Sequence, residues 1–306
     1  MKTVIHIGTY KTGTSTIQSF CRQNGDFLVK HGLFFPAPDS ETLRNQHAHV
    51  IEDCVEGRYE KIQQYIRVSH EKASALGCDT VILSSEGFSS LNRSHIEKLI
   101  EVIDGDVEVI VYFRNVYKYI ISTIGQLLKE PSKNLVSGRM AKQLQARLDY
   151  DKVVTSWDVS GIRKMHVFSF DKVSKSLVRN FFESVSGKPF MDEKSVKMEN
   201  KNVSVGMTSM LFLTLNGIIK KHDDHERLHK KYFTPYKLVG SRTTVNELRL
   251  ARMIYDVMHQ EITHPLLREI ADELTYYNEA DFLEEQPVEF LDAWIACLSS
   301  LKKEKS

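Results

Sequence analysis

The amino-acid sequence predicts an α/β protein, in which a doubly wound parallel sheet is flanked by helices and followed by a mainly helical C-terminal part. Short apolar runs alternate with segments of helical spacing over residues 1–190. A loop rich in glycine and threonine separates the first apolar run from the first helix. Beyond residue 200 the spacing is mostly helical. We therefore expect one domain over residues 1–306, with an α/β core at 1–190 and a helical extension at 200–306.

The first strand and helix are predicted at the very start of the chain. Residues 4–7, Val-Ile-His-Ile, form a continuous apolar run of the kind that becomes a buried strand. Beyond the loop, Ile17, Phe20 and Cys21 fall on one face of a helix. That spacing is typical of a helix packed on a sheet. The loop thus joins a strand to a helix N-terminus.

The remaining elements follow from apolar runs, helical spacing and turn residues. The strands are expected at 32–36, 80–85, 107–113 and 165–170. In the core, helices are expected at 58–76, 116–129 and 173–186. A further helix is expected to begin after Asn92, which can act as its N-cap. Helices of the C-terminal part are expected at 204–221, 244–260, 264–276 and 287–303. The segments 37–57 and 130–150 are expected to shape a substrate pocket, with a loop at 130–139.

Composition points to an ordinary globular protein. The chain has 306 residues and a formal net charge of +1, which gives no general attraction to nucleic acid. Its 4 cysteines have neither the spacing of a zinc site nor that of a disulfide framework. No apolar run approaches the ~20 residues that span a bilayer, and the N-terminus enters the first strand without a signal peptide. We expect a cytoplasmic protein.

The loop, within "HIGTYKTGTSTIQ" at residues 6–18, has the form of a phosphate-binding loop with its lysine displaced. Gly8 and Gly13 have the spacing of the ATP-binding pattern, and Ser15 fits its last position. Thr14, however, occupies the lysine slot, and Lys11 lies two residues before Gly13. Because the usual lysine serves a Mg²⁺-bound triphosphate, this loop indicates a phosphate group held without Mg²⁺. A kinase or nucleotide hydrolase with a deviant loop remains the alternative.

Two stretches together resemble the sulfotransferases that use 3′-phosphoadenosine-5′-phosphosulfate (PAPS). "GTYKTGTSTIQ" is similar to their 5′-phosphosulfate loop, in which a lysine precedes the glycine by two residues. "VEVIVYFRNVYKYIISTIGQ", residues 107–126, places Arg114 after a strand and Ser122 eight residues later, as that family does for the 3′-phosphate. The resemblance implies PAPS as co-substrate, adenosine 3′,5′-bisphosphate as product, and no metal. It implies the following cofactor-binding residues: Lys11, Thr12, Gly13, Thr14, Ser15, Thr16, Arg114 and Ser122.

Further stretches resemble bacterial carbohydrate sulfotransferases. These are "YDKVVTSWDVSGIRKMHVFSFDKV" at 150–173 and "NKNVSVG" before a predicted helix. The resemblance implies a P-loop-type fold and a carbohydrate or glycolipid acceptor. A small-molecule alcohol or amine is the alternative acceptor. "KLVGSR", 237–242, is the nearest candidate for the family's C-terminal nucleotide loop.

Sulfuryl transfer to a hydroxyl needs a cation at the leaving oxygen and a base for the acceptor proton. Lys11 suits the first role, as the resemblance implies. For the base, Glu86 follows the predicted strand 80–85, where the resemblance implies a catalytic histidine in related enzymes, and the neighbouring Ser84 and Ser85 are alternatives. His47, in "RNQHAH", is the rival because a histidine titrates near neutral pH. A non-catalytic nucleotide-binding relative, lacking a working base, also stays open.

Overall fold

The computed structural model describes residues 1–37, 47–128, 144–190, 245–258 and 261–281. It contains a five-stranded sheet whose neighbouring strands all run parallel. The strands are β1 (Lys2–Ile7), β2 (Leu33–Phe34), β3 (Thr80–Ser85), β4 (Asp106–Phe113) and β5 (Ile162–Ser169). They lie in the order β2-β3-β1-β4-β5. The predicted fold class, a parallel sheet flanked by helices, is confirmed.

The helices fall between the strands and beyond the last one. They are α1 (Thr14–Gln23), α2 (Gly25–Lys30), α3 (Ala48–Val55), α4 (Tyr59–Ala75), α5 (Arg93–Glu101), α6 (Val116–Leu128), α7 (Tyr150–Trp157), α8 (Phe170–Val173), α9 (Leu177–Ser186), α10 (Val245–Met258), α11 (Pro265–Arg268) and α12 (Ala271–Leu274). Among the described residues, 3₁₀ turns occupy Glu86–Ser90, Ser174–Ser176 and Glu279–Asp281. Within the described ranges, none of the helices has the length and apolarity needed to cross a membrane.

The chain divides into two compact units. The first comprises Met1–Arg114, Asp149–Lys201 and Ile262–Leu274, and it holds the whole sheet. The second comprises Asn115–Leu148, Asn202–Glu261 and Thr275–Ser306. In the second unit, Asn115 caps α6 by accepting hydrogen bonds from the main-chain nitrogens of Tyr117 and Lys118, each at 3.2 Å. The expectation of one domain with a helical extension stays a prediction, because most of residues 200–306 lie outside the described ranges.

The sheet is buried on both faces, which explains why its central strands are continuous apolar runs rather than alternating ones. On one face, Val4, Ile82 and Ile110 pack against α1, α2 and α9 in a single core. The alternate residues Ile5 and Val109 point to the other face and are also fully buried. Sequence patterns of this type therefore located β1, β3 and β4 closely.

The strand register brings three chain segments to one edge of the sheet. Ile7, the last residue of β1, pairs with Ser85 of β3 on one side and with Val111 of β4 on the other. The segments that follow these strands therefore emerge side by side. This carboxyl edge is where open α/β sheets bind ligands.

Several predicted boundaries were wrong. β5 begins at Ile162 rather than at 165, because it is an edge strand whose charged start is held by Arg163, which pairs with Asp106 and Glu108 at 3.0 Å. The helix expected from 173 begins at Leu177, after a 3₁₀ turn.

Two further segments also differ from expectation. The pocket segment 37–57 contains the helix α3, and 264–276 forms two short helices rather than one. The predicted helices 204–221 and 287–303, the loop 130–139, and the stretches "NKNVSVG" and "KLVGSR" lie outside the described residues.

Candidate active site

The loop between β1 and α1 contains two residues in the left-handed backbone conformation. Lys11 has φ 66° and Gly13 has φ 75°, so both lie in the left-handed region. Left-handed residues between right-handed ones turn successive N–H groups inward, and the N-terminus of α1 adds its dipole to the same concavity. A lysine rarely adopts this conformation, and strain of this kind is concentrated at functional sites. The loop can therefore hold a phosphate or sulfate group by its main chain.

Both glycines of the loop are required by close contacts. A Cβ atom at Gly8 would lie 2.6 Å from the Thr14 hydroxyl oxygen and 3.1 Å from the Cα of Glu86. A Cβ atom at Gly13 would collide with the Leu177 side chain on α9. The strand end, the helix start and the following segments thus approach too closely for any side chain.

The hydroxyl groups of the loop have different surroundings. Thr12 is buried, and its hydroxyl donates to the carbonyl oxygen of Thr9 at 2.7 Å, so it shapes the loop. The Thr14 hydroxyl is also buried, but it has no partner among the described residues. Ser15 is exposed and Thr16 is half-buried. A buried hydroxyl without a partner is costly, so the Thr14 hydroxyl is a candidate donor to a bound anion.

Arg114 borders the loop on the β4 side. It directly follows β4, and its Nη1 donates to the carbonyl oxygen of Lys11 at 3.3 Å. Its guanidinium lies 5.6 Å from the ring centre of Phe170. Burial lowers the pKa of Arg114, while Asp171 and Tyr150 act in the opposite direction. Its Nε is buried and has no partner within the described part of the chain. The group is a desolvated cation with an unused donor, which suits an anionic ligand.

Glu86 borders the loop on the β3 side. The main-chain nitrogen of Gly8 donates to the carbonyl oxygen of Ser85 at 3.0 Å, and Glu86 follows immediately. Glu86 begins the 3₁₀ turn Glu86–Ser90, where its own carbonyl oxygen accepts from the Ser89 hydroxyl at 2.8 Å. Its side chain is half-buried. The sheet therefore places Glu86 and Arg114 at positions that flank the loop, after β3 and β4 respectively.

His47 has a structural environment. It is fully buried, and its Nδ1 accepts a hydrogen bond from the Ser84 nitrogen at 2.9 Å. The ring proton then lies on Nε2, which donates to the Pro36 carbonyl oxygen at 3.2 Å. Burial lowers the pKa of His47 to about 4. Among the described residues, β2 pairs with β3 at Thr80 and Val81, and His47 bonds the β3 main chain further along, at Ser84.

The remaining sequence candidate, Ser122, lies half-buried in α6. It belongs to the second unit, whereas Lys11, Glu86 and Arg114 belong to the first. A role for Ser122 at a 3′-phosphate stays a prediction.

A buried polar cluster beneath the loop was missed by sequence reasoning. His6 of β1 is fully buried, and its Nδ1 lies 2.8 Å from the Ser84 hydroxyl. Gln18 of α1 donates to the same hydroxyl at 3.2 Å. Burial lowers the pKa of His6 to about 3, so the ring is neutral. Ser84 is therefore engaged and unsuited to act as a base. The available signal was a polar residue inside an otherwise apolar strand or helix face.

The described residues include no group of three or more His, Cys, Asp or Glu side chains that could hold a metal ion. What the fold and the loop define is an α/β protein with a glycine- and threonine-rich loop, containing two left-handed residues, at the carboxyl edge of a parallel sheet. No protein-family model matches the chain, and no curated protein matches it in sequence.

Among solved structures, the chain is similar to one titled "Sulfotransferase Domain from the Curacin Biosynthetic Pathway", with 10% sequence identity and a TM-score of 0.39. The similarity covers 65% of this chain and 78% of that one. A likeness at this level carries no argument about chemistry.

Proposed function

We propose that the protein is a sulfotransferase, which moves a sulfuryl group from PAPS to a hydroxyl of a carbohydrate or glycolipid acceptor. The observation that carries this proposal is the loop with Lys11 in a left-handed conformation, bordered by Arg114 on one side and Glu86 on the other. It combines a loop with two left-handed residues, a desolvated cation and an acidic residue at one sheet edge. The resemblance of the loop and of residues 107–126 to PAPS-dependent enzymes supports the choice of nucleotide.

The residues present fit such a nucleotide. The main-chain nitrogens of the loop suit the 5′-phosphosulfate, and the unpartnered Thr14 hydroxyl adds a donor. Arg114 suits the 3′-phosphate, since its Nε is an unused donor on a charged group. Ser122 would be its second ligand, as the resemblance implies. The bound nucleotide supplies a sulfuryl group joined to phosphate through a bridging oxygen.

The protein would promote transfer at two atoms. The Lys11 ammonium would stabilise the negative charge that grows on the bridging oxygen as the S–O bond to it breaks. The Glu86 carboxylate would take the proton of the acceptor hydroxyl as its oxygen bonds to sulfur. The bisphosphate then leaves as product, so atoms and charge balance without a metal ion.

Geometry favours Glu86 over His47 as the base. Both ring nitrogens of His47 are engaged with main-chain atoms, at 2.9 Å and 3.2 Å, and the ring is fully buried. A base must be within reach of the proton that it removes. Glu86 lies at the loop itself, against Gly8. Glu86 is therefore the proposed base, and His47 a structural residue.

The acceptor class rests on a separate argument. The similarity of residues 150–173 to bacterial carbohydrate sulfotransferases supports a sugar hydroxyl. A small alcohol or amine is the other acceptor class to test.

Calorimetric titration tests the nucleotide. Adenosine 3′,5′-bisphosphate should bind more tightly than AMP or ADP, without Mg²⁺, because charge-assisted hydrogen bonds to the 3′-phosphate are strong. A screen of acceptors with labelled PAPS then tests transfer. ATP binding that requires Mg²⁺ would instead support a kinase or hydrolase. Bisphosphate binding without transfer to carbohydrate, lipid or small-molecule acceptors would support a non-catalytic protein.

A further inference from the structure

The N-terminal end of α7 contacts Arg114, the residue that directly follows β4. Tyr150, the first residue of α7, is 3% exposed, and its hydroxyl donates to the carbonyl oxygen of Arg114 at 2.8 Å. The Tyr150 ring lies 4.6 Å from the ring of Phe113, the last residue of β4. Because the ladder of β4 ends at Phe113, the Arg114 carbonyl needs another donor, and Tyr150 supplies it.

The C-terminal end of α7 contacts the 3₁₀ turn that begins at Glu86. Trp157, the last residue of α7, is fully buried, and its Nε1 donates to the carbonyl oxygen of Phe88 at 3.2 Å. The two rings meet edge to face, with centroids 6.0 Å apart. Phe88 is the central residue of the 3₁₀ turn Glu86–Ser90.

The start of α7 is itself held in place from several directions. The Asp149 side chain caps the helix by accepting from the Lys152 nitrogen at 3.0 Å. The Asp151 carboxylate accepts from the main-chain nitrogens of Thr263 and His264, at 2.7 Å and 3.2 Å. All of these residues belong to the first unit. A short helix whose two ends are both hydrogen-bonded can hold the main-chain groups at those ends in fixed positions.

We infer that α7 braces the active site, with Tyr150 positioning Arg114 for a phosphate group and Trp157 positioning the turn that presents Glu86. Both are positioning residues, which act through main-chain carbonyls and do not touch the nucleotide. This inference rests on the proposed function. It assigns each end of one helix to a different property of the enzyme: nucleotide discrimination at Tyr150, and proton transfer at Trp157.

Tyr150→Phe tests the first end, because it keeps the ring on Phe113 and removes only the donor. The affinity for adenosine 3′,5′-bisphosphate should fall about 3- to 10-fold, as expected for one hydrogen bond. The affinity for AMP, which lacks the 3′-phosphate, should stay the same. The ratio of the two affinities is the readout, since a general loss of stability would not change it.

Trp157→Phe tests the second end. We expect kcat to fall at least about 10-fold, which is less than the about 10²–10⁴-fold that a positioned base contributes because the base is displaced and not removed. The bisphosphate-to-AMP ratio should stay at the wild-type value. The matched control is Val154→Ala, a fully buried residue of the same helix. It lowers the melting temperature by opening a cavity but should leave both kcat and the ratio unchanged. If Trp157→Phe does not fold, the Tyr150→Phe ratio decides the proposal.

Arg114→Ala separates this proposal from the proposed function. An unchanged ratio in Arg114→Ala overturns the proposed nucleotide site, and the brace with it. A collapsed ratio in Arg114→Ala with an unchanged ratio in Tyr150→Phe overturns the brace alone. Equal losses in Val154→Ala and in the two end variants also overturn it, because stability would then explain them.

Discussion

Protonation of His47 should destabilise the fold in mild acid. Its Nδ1 accepts from the Ser84 nitrogen, and its Nε2 donates to the Pro36 carbonyl oxygen, so the neutral ring is required. Burial lowers the pKa of His47 in the folded chain to about 4, against about 6.5 when unfolded. Above pH 6.5 the His47 ring is neutral in both the folded and the unfolded state. The contribution of His47 to stability therefore does not change with pH in that range. Below it, the unfolded state takes up a proton that the folded state refuses, so stability falls as the pH falls.

The free energy of unfolding falls by about 1.4 kcal/mol per pH unit for one proton, or by about 3 kcal/mol once the pH has reached about 4. His6 acts with the same sign, since its pKa in the folded chain is lowered to about 3. His47→Asn isolates His47, because the asparagine oxygen can accept from the Ser84 nitrogen but does not titrate. The wild type should therefore lose stability more steeply than His47→Asn, by one proton per molecule.

Urea unfolding at steps between pH 7 and pH 4.5 measures how the free energy of unfolding changes with pH in the wild type and in His47→Asn. The contributions of carboxylates that titrate in this range cancel when the two slopes are subtracted. Equal slopes for the wild type and His47→Asn would show that His47 is not the buried neutral acceptor described above. The same variant bears on the proposed function. His47→Asn should retain turnover at pH 7.5, and its inactivation in a folded state would return the role of base to His47.

Lys11→Ala should lower kcat about 10²–10³-fold while leaving bisphosphate affinity nearly intact, because a lysine on the bridging oxygen meets its full charge only in the transition state; a raised KM at unchanged kcat would make it a binding residue. Glu86→Gln should lower turnover about 10²–10⁴-fold at similar bisphosphate affinity, and near-normal turnover would place the base elsewhere. Gly13→Ala should lose bisphosphate binding and more stability than Gly57→Ala, which has φ 72° with no atom within 4 Å and should cost only the about 1–2 kcal/mol of a left-handed alanine. Equal losses in urea unfolding would mean that Leu177 moves aside.

The sequence by itself predicted the elements whose pattern is local. β3 was predicted with its observed bounds, and Asn92 was predicted as an N-cap, where its side chain accepts from the His95 nitrogen. A strand buried on both faces leaves a continuous apolar run, and a cap needs only the residue and its next turn. The displaced lysine of the loop was also visible, because a phosphate loop is one short segment between a strand and a helix.

Tertiary structure alone decided which residues meet. Arg114 reaches the carbonyl of Lys11 across 103 positions of the chain, because β1 and β4 are neighbours in the strand order, and strand order leaves no mark on local spacing. The sequence around His47 is typical of a reactive loop residue, yet its ring accepts a hydrogen bond from the main chain of β3 at Ser84. The two ends of α7 likewise touch groups far away in sequence. Spacing along the chain sets which face a side chain occupies, whereas pairing between distant strands sets what that side chain touches.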